Sequence, residues 1–249
     1  MRFSIITVSY NSSETIADTV KSVVGQNYPE VEYLIVDGGS KDGTMEILKE
    51  FTNNIDVLIS EPDKGIYDAM NKGINKAQGD IIGILNSDDI YADKEVINDI
   101  GELFKNPQTQ AVYADLVYVD RQYPEKIIRK WVSGKYFPGS FKKGWMPPHP
   151  TFFVRKSVYV KHGLFNLDFS SAADYELMLR FIHKNQIKIN YLARTIIKMR
   201  VGGQSNVSFK NRLKANREDR KAWEVNGLKP GKLTFIRKPL SKIGQFLKR

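Results

Sequence analysis

The stretch Asp80–Glu95, DIIGILNSDDIYADKE, runs from an apolar segment into Asn86, Ser87 and the adjacent carboxylates Asp88 and Asp89. Two neighbouring carboxylates at the end of a strand repel one another unless a cation or a set of donors compensates them. A hard divalent ion, Mn2+ or Mg2+, supplies that compensation, using one or two carboxylates together with the oxygens of a bound diphosphate. The alternative for this pair is a helix cap followed by a solvated loop acid.

Other polar groups stand in comparable places. Asp37 closes YLIV and precedes Gly38, Gly39 and Ser40, so the backbone can approach a ligand closely while the carboxylate accepts hydrogen bonds from it. A turn-forming Asp is the competing reading. The run SKDGT resembles the aspartyl-nucleophile phosphatase pattern Asp-x-Asp-Gly-Thr, but Ser40 stands where that chemistry needs its first Asp, which excludes it. His149, one of three histidines, lies between prolines in PPHPTFF. It reads as a diphosphate contact or an additional ion ligand, against a plain loop histidine.

Strands and helices must hold these groups in place, and the first half of the chain alternates the two textures. RFSIITVSY reads as a strand, and Ile16, Val20, Val23 and Val24 then fall at helical spacing behind Asn11 or Ser12 as a cap. VEYLIVD leads to GTMEILKEF, IDVLIS to GIYDAMNKGINKA, and DIIGIL to KEVINDIGELF. This predicts an α/β fold with a largely parallel sheet. Ligands of such sheets sit beyond the carboxyl ends of the strands. Ser9, Tyr10 and Asn11, the DGGS run from Asp37, the EPDKG run with Asp63 and Lys64, and the NSDD run from Asn86 all fall at such ends, so four segments should meet on one edge.

Beyond residue 110, QAVYADLVYVD and KIIRKW predict mixed or antiparallel strands, followed by a long Gly/Pro/aromatic loop, YFPGSFKKGWMPPHP. Loops of this length are commonly functional. A helix ADYELMLRFIHKN, with Arg180 as an ion-pair partner inside it, strands IKINYL and TIIKMRV, and a charged helix over about 208 to 226 complete the reading.

At 249 residues and 41% hydrophobic composition the chain can bury a core and is not of the disordered class. It has no cysteine, which excludes disulfides and thiolate metal sites and makes the cytoplasm the expected compartment. The first residues read as a core strand rather than a secretory signal, and no run approaches the roughly 20 apolar residues of a membrane span. The net charge of +10 is unevenly spread, with seven Lys or Arg and no acid from Gly227 to Arg249. There Pro239 would open a short helix with Leu240, Ile243, Phe246 and Leu247 on one side, a basic amphipathic segment suited to an anionic membrane surface at the inner face of the cell. A solvated terminal helix is the alternative.

Taken in order, IITVSYN, VDGGSKDGT, EPDKGIYDAMNKG, LNSDD and ADYELMLR resemble the family 2 glycosyltransferases of bacterial polysaccharide assembly, over roughly residues 2 to 205. The resemblance implies a GT-A fold: a nucleotide-sugar-binding half over 1–110, an acceptor-binding and catalytic half over 111–207, and a basic helical extension over 208–249. It also implies an enzyme that moves a sugar from a nucleoside diphosphate sugar, UDP first among them, to a hydroxyl of a saccharide or lipid-linked saccharide.

The same resemblance distributes roles. Asp37 would hold the nucleobase with Ser9, Tyr10 and Asn11 lining that pocket, and Asp63 and Lys64 would touch base and ribose. The family's Asp-x-Asp metal motif matches with Asn86 in its first place, which makes Asp88 the main ion ligand and Asp89 its assistant. Asp174, at a helix start and preceded by Ala173 where relatives carry an acid, would be the base that deprotonates the acceptor, and in-line attack would invert the anomeric carbon. RVGGQSN resembles a mobile segment that closes over the diphosphate, with Arg200 adding positive charge. REDRKAW lacks the Gln-x-x-Arg-Trp pattern of processive members, which favours addition of one sugar per encounter.

Other classes compete. A nucleic-acid-binding protein would account for the tail and for Tyr136, Phe137, Phe141 and Trp145 among Lys142 and Lys143, but not for four acidic strand ends, so nucleic acid is not an expected partner. A dinucleotide oxidoreductase needs a glycine fingerprint that SYNSSET lacks. A non-catalytic sugar-nucleotide binder fits the same motifs.

Overall fold

The computed structural model describes residues 1–202 and 209–235. In chain order its strands are β1 (Phe3–Ser9), β2 (Val31–Asp37), β3 (Val57–Ser60), β4 (Ile81–Asn86), β5 (Asp89–Tyr91), β6 (Ala111–Val119), β7 (Ile127–Trp131), β8 (Phe153–Arg155) and β9 (Ile189–Arg200). Its helices are α1 (Ile16–Val24), α2 (Thr44–Lys49), α3 (Ile66–Lys76), α4 (Val96–Phe104), α5 (Lys156–His162), α6 (Ala173–Met178), which runs on into a π-helical stretch over Leu179–Lys184, and α7 (Phe209–Val225). The strands form one mixed sheet ordered β3-β2-β1-β4-β8-β6-β9-β5, with β7 on β6.

The parallel half follows from the sequence pattern. β1, β2 and β4 are near-continuous apolar runs because helices cover both faces of a crossover sheet. Alternate residues then serve opposite faces: Ile6, Val8, Leu34, Val36, Ile82 and Ile84 enter one core. Phe3, Ile5, Tyr33, Ile35, Ile81 and Leu85 enter the other. Gly83 is required inside β4, since a Cβ there would stand 2.4 Å from the ring of Phe153.

The register aligns the strand ends. Ser9 lies opposite Asp37, Asp37 opposite Ser60, and Val8 opposite Asn86. The four polar segments therefore do meet on one edge.

Several local expectations need correction. Neither Asn11 nor Ser12 caps α1 by its side chain; the cap position is Thr15, and the Ser12 hydroxyl bonds Ser87 instead. IKINYL and TIIKMRV form one strand, β9, with a register shift opposite Ala114 and Asp115 that takes up the intervening residues. The short strands β5 and β8 and helix α5 are additions; three-residue strands carry too little periodicity to register in a pattern. Of the aromatics in the long loop, Phe141 is fully buried and packs against Trp145 and Tyr175, while Phe137 remains 65% exposed.

Helix α7 docks on α6 through Trp223, which is fully buried, lies 5.3 Å from the ring of His183, and donates from Nε1 to the Tyr175 hydroxyl at 2.9 Å. Trp223→Ala is expected to cost about 3–5 kcal/mol of stability, read as a lowered denaturant midpoint. Among the described residues no helix is long and apolar enough to cross a membrane. The segment from Gly203 to Asn206, and the amphipathic stretch from Pro239 with Leu240, Ile243, Phe246 and Leu247, lie outside the described residues.

Candidate active site

The acidic loop is fastened from α1. Thr15 and Thr19 donate to the Ser87 carbonyl at 2.9 Å each, Thr19 also to the Asp89 carbonyl at 2.8 Å, and the Ser12 and Ser87 hydroxyls meet at 2.7 Å. Asn86, Ser87 and Asp88 are thus held at the end of β4 by hydroxyls from α1 and the turn that leads into it.

Within that loop the two carboxylates differ. Asp88 is half-buried, and burial raises its carboxyl above the ordinary value against the charges of Arg121 and Arg200. Asp89 is fully buried on β5; burial and then the charge of Asp88 push its carboxyl well up. Asn86 Nδ2 donates to Asp89 Oδ2 at 3.2 Å, yet Asn86 Oδ1 and Asp89 Oδ1 are buried with no donor. Unanswered acceptor oxygens beside a half-exposed carboxylate are a donor set that suits a hard cation. Asp89 backs the loop from inside the fold rather than lining its mouth.

Along the same edge, Asp37 is fully buried at the end of β2, and its carboxylate is saturated. It accepts from Ser9 Oγ at 3.0 Å, Ser60 Oγ at 2.9 Å, the Gly39 and Ser40 amides at 3.0 and 2.9 Å, and the Ser40 hydroxyl. Burial acts to raise its pKa, but the Ser40, Ser60 and Ser9 bonds outweigh it and hold the carboxyl below the usual range. Asp37 therefore ties the ends of β1, β2 and β3 together. Asn11, in the left-handed region at φ 49° that Asn tolerates, accepts from the Lys41 amide at 3.0 Å and donates its own amide to Ser40 at 2.8 Å.

The groups that face outward are Tyr10, 57% exposed, and Lys64, with Asp63 half-buried. Asp63 accepts from the Gly65 amide at 2.7 Å, and its other oxygen occupies the space over Gly38, 2.5 Å from where a Cβ would be, with the Tyr10 ring alongside. Asp42 of SKDGT accepts from the amides of Ser13 at 3.0 Å and Thr44 at 3.1 Å and so closes the start of α2.

Two expected ligands lie elsewhere. Arg200 is 4% exposed beneath the loop, donating to Asp18 at 2.6 Å and to the carbonyls of Asp88 and Arg121 at 3.2 Å each. Its guanidinium braces the Asp88 backbone instead of facing a diphosphate. Among the described residues no three His, Asp or Glu side chains gather as an ion site, and His149 is not brought to Asp88 and Asp89. It is buried with its ring edge-on to Phe165 at 5.4 Å, and burial lowers its imidazole against the pull of Asp174.

Asp174 opens α6 and accepts from the Tyr67 hydroxyl at 3.3 Å; Tyr67, from α3, stacks on Phe165 at 5.5 Å. Burial and then the Asp174 charge raise the Tyr67 phenol well above its ordinary value, so it stays a donor. Arg180 pairs with Glu176 at 2.9 Å, as its helical spacing predicts. The sequence reading passed over Tyr67 and Glu218. A hydroxyl on the helix after the EPDKG loop is the faint signal for the first, whereas nothing in REDRKAW marks Glu218 as a partner of residues 170–172.

The fold recurs in solved structures. TarS 1–349 of S. aureus in complex with UDP-GlcNAc superposes with a TM-score of 0.69 at 18% identity, covering 91% of this chain and 65% of that one. The mannosyltransferase PcManGT of Pyrobaculum calidifontis, in complex with GDP-Man and Mn2+, gives 0.69 at 17% identity, covering 99% and 69%. At these identities the likeness establishes the GT-A fold. An uncharacterized glycosyltransferase of Mycobacterium tuberculosis is 35% identical over 185 residues, 71% of this chain and 67% of its own length. The model of glycosyl transferase family 2 matches residues 4–163, and with that match the chain belongs to family 2 and is a glycosyltransferase.

Proposed function

We propose that the enzyme is a metal-dependent, inverting transferase that moves one sugar from a nucleoside diphosphate sugar, UDP-sugar first, to a hydroxyl of a saccharide or lipid-linked saccharide in cell-surface polysaccharide synthesis. The observation that carries this reading is the pair of unanswered buried oxygens, Asn86 Oδ1 and Asp89 Oδ1, beside Asp88 at the edge where four strand ends meet. The complexes of the structural neighbours, TarS with UDP-GlcNAc and PcManGT with GDP-Man and Mn2+, support a nucleotide-sugar donor and a divalent ion.

Asp88, with the oxygens of Asn86 and Asp89 behind it, would hold Mn2+ or Mg2+. When bound, the ion supplies positive charge that stabilises the departing diphosphate. Tyr10, Asp63 and Lys64 receive base and ribose, within walls built by Ser9, Asn11, Asp37 and Ser87. Asp174 takes the proton of the acceptor hydroxyl as its oxygen attacks the anomeric carbon. The bond to the diphosphate oxygen breaks on the opposite face, which inverts the configuration and releases the nucleoside diphosphate.

The test is a thermal-shift panel of UDP-, GDP- and dTDP-sugars with and without Mn2+. A donor at 100 times its Kd should add about 2.7 kcal/mol. For a chain of this size that is roughly 5–10 °C. A UDP-sugar shift that needs the ion is expected. A shift with no ion requirement removes the metal from the reading, and no shift with any nucleotide sugar removes the donor.

A further inference from the structure

The proposed base begins a six-residue helix whose own cap position, Ala172, has no side chain able to receive the free N–H groups of the first turn. Those before it are answered from 46 to 48 residues away. Glu218 Oε1 accepts from the Ser170 amide at 3.2 Å and hydroxyl at 2.7 Å. Its Oε2 accepts from the Ser171 amide at 2.8 Å, the Ser171 hydroxyl at 3.1 Å and the Ala172 amide at 2.9 Å. One carboxylate therefore gathers five donors from three consecutive residues.

Burial acts to raise the Glu218 carboxyl, but the bonds from Ser170 and Ser171 outweigh it and hold it below its ordinary value. Bonds to a charged acceptor are about twice as strong as neutral ones and fix direction. Just past the end of α7, Asn226 Nδ2 donates to Glu176 Oε1 at 2.9 Å, one helical turn past the start of α6. Asp174 itself is met by the Tyr67 hydroxyl from α3.

We propose that Glu218 is a positioning residue for the transfer reaction: it ties down the turn that leads into α6, fixing residues 170–172 and through them the direction in which Asp174 meets the acceptor hydroxyl. This rests on the reading of Asp174 as the base. It makes α7 part of the active centre, with the helix that carries REDRKAW holding the catalytic turn.

The test compares Glu218→Ala with Asn226→Ala, a control at the end of the same helix that loosens α7 from α6 without touching residues 170–172. Turnover is read as nucleoside diphosphate released from the UDP-, GDP- and dTDP-sugar panel with water as acceptor, beside melting temperature and amide exchange. Glu218→Ala is expected to lower kcat by about 10- to 100-fold with donor KM within about twofold, because small misplacement of a reacting group costs that much. Amide exchange should quicken at residues 170–174. Asn226→Ala should lower the melting temperature and leave kcat within about twofold. Should Glu218→Ala fail to fold, Glu218→Gln keeps the volume while turning an amide group toward the same donors, and the same kcat loss is expected.

Unchanged kcat or unchanged exchange at 170–174 in the Glu218 variants overturns the proposal, as does a kcat loss that Asn226→Ala matches in step with stability. Asp174→Asn, run in parallel, separates the two readings. An inactive Asp174→Asn beside a fully active Glu218→Ala removes only the positioning role, whereas an active Asp174→Asn removes the base beneath it.

Discussion

Asp174→Asn is expected to bind donor as the parent enzyme does and to lose transfer by about 10²- to 10⁴-fold, the range spanned by a positioned general base. The amide is nearly isosteric and can still accept from the Tyr67 hydroxyl, so packing around Phe165 and α6 should survive. It cannot take the acceptor's proton. The discriminating pair of measurements is donor-induced thermal shift against transfer rate. An unchanged shift with the rate collapsed is the expected result, and retained turnover would strip Asp174 of the role.

Asp88→Asn should act on the other side of the reaction. Its carboxylate is the half-exposed charge of the acidic loop, while Asp89 is sealed behind it and Asn86 is neutral. Removing that charge takes the principal ligand from the proposed cation. The ion's stabilisation of a leaving diphosphate is worth several kcal/mol. At 1.36 kcal/mol per factor of ten, the transfer rate should fall by about 10³-fold. The donor shift should also become indifferent to Mn2+. An ion-dependent shift of the usual size in Asp88→Asn would move the metal site elsewhere. Together the two variants separate acceptor activation from leaving-group stabilisation: the first loses rate at constant donor affinity, the second loses both.

Much of the donor side was legible from local pattern. Strands β1, β2 and β4 are apolar runs with polar ends, and each is followed by a helix with apolar residues at helical spacing. A parallel sheet places such ends side by side, which is why Ser9, Asp37 and Asn86 could be assigned to one edge before any coordinate was known. Gly38 and Gly39 read as room for a ligand against the backbone, whereas the space above Gly38 is taken by the side chain of Asp63.

Orientation was not legible. Asp37 and Asp63 look alike as residues at strand ends. One is buried under serine and backbone donors, and the other is half-buried over Gly38, because the hydroxyls of Ser9, Ser40 and Ser60 all converge on the first. Arg200 offered a positive charge to the mouth of the site, yet Asp18, 182 residues away in sequence, draws its guanidinium beneath the loop. His149 offered an ion ligand, and the turn it begins delivers it to Phe165 and Asp174 instead.

The amino-acid sequence alone settled the alternation of strands and helices in the first half of the chain, the edge on which the polar groups gather and the family they mark, since these follow from short-range periodicity and from residue types at strand ends. Only the tertiary structure decided which of the acids are exposed, that Tyr67 reaches Asp174, and that Glu218 holds the turn before it. Those outcomes depend on pairings between groups tens to hundreds of residues apart, and a carboxylate's character is set by the donors and burial that such pairings bring rather than by its neighbours in the chain.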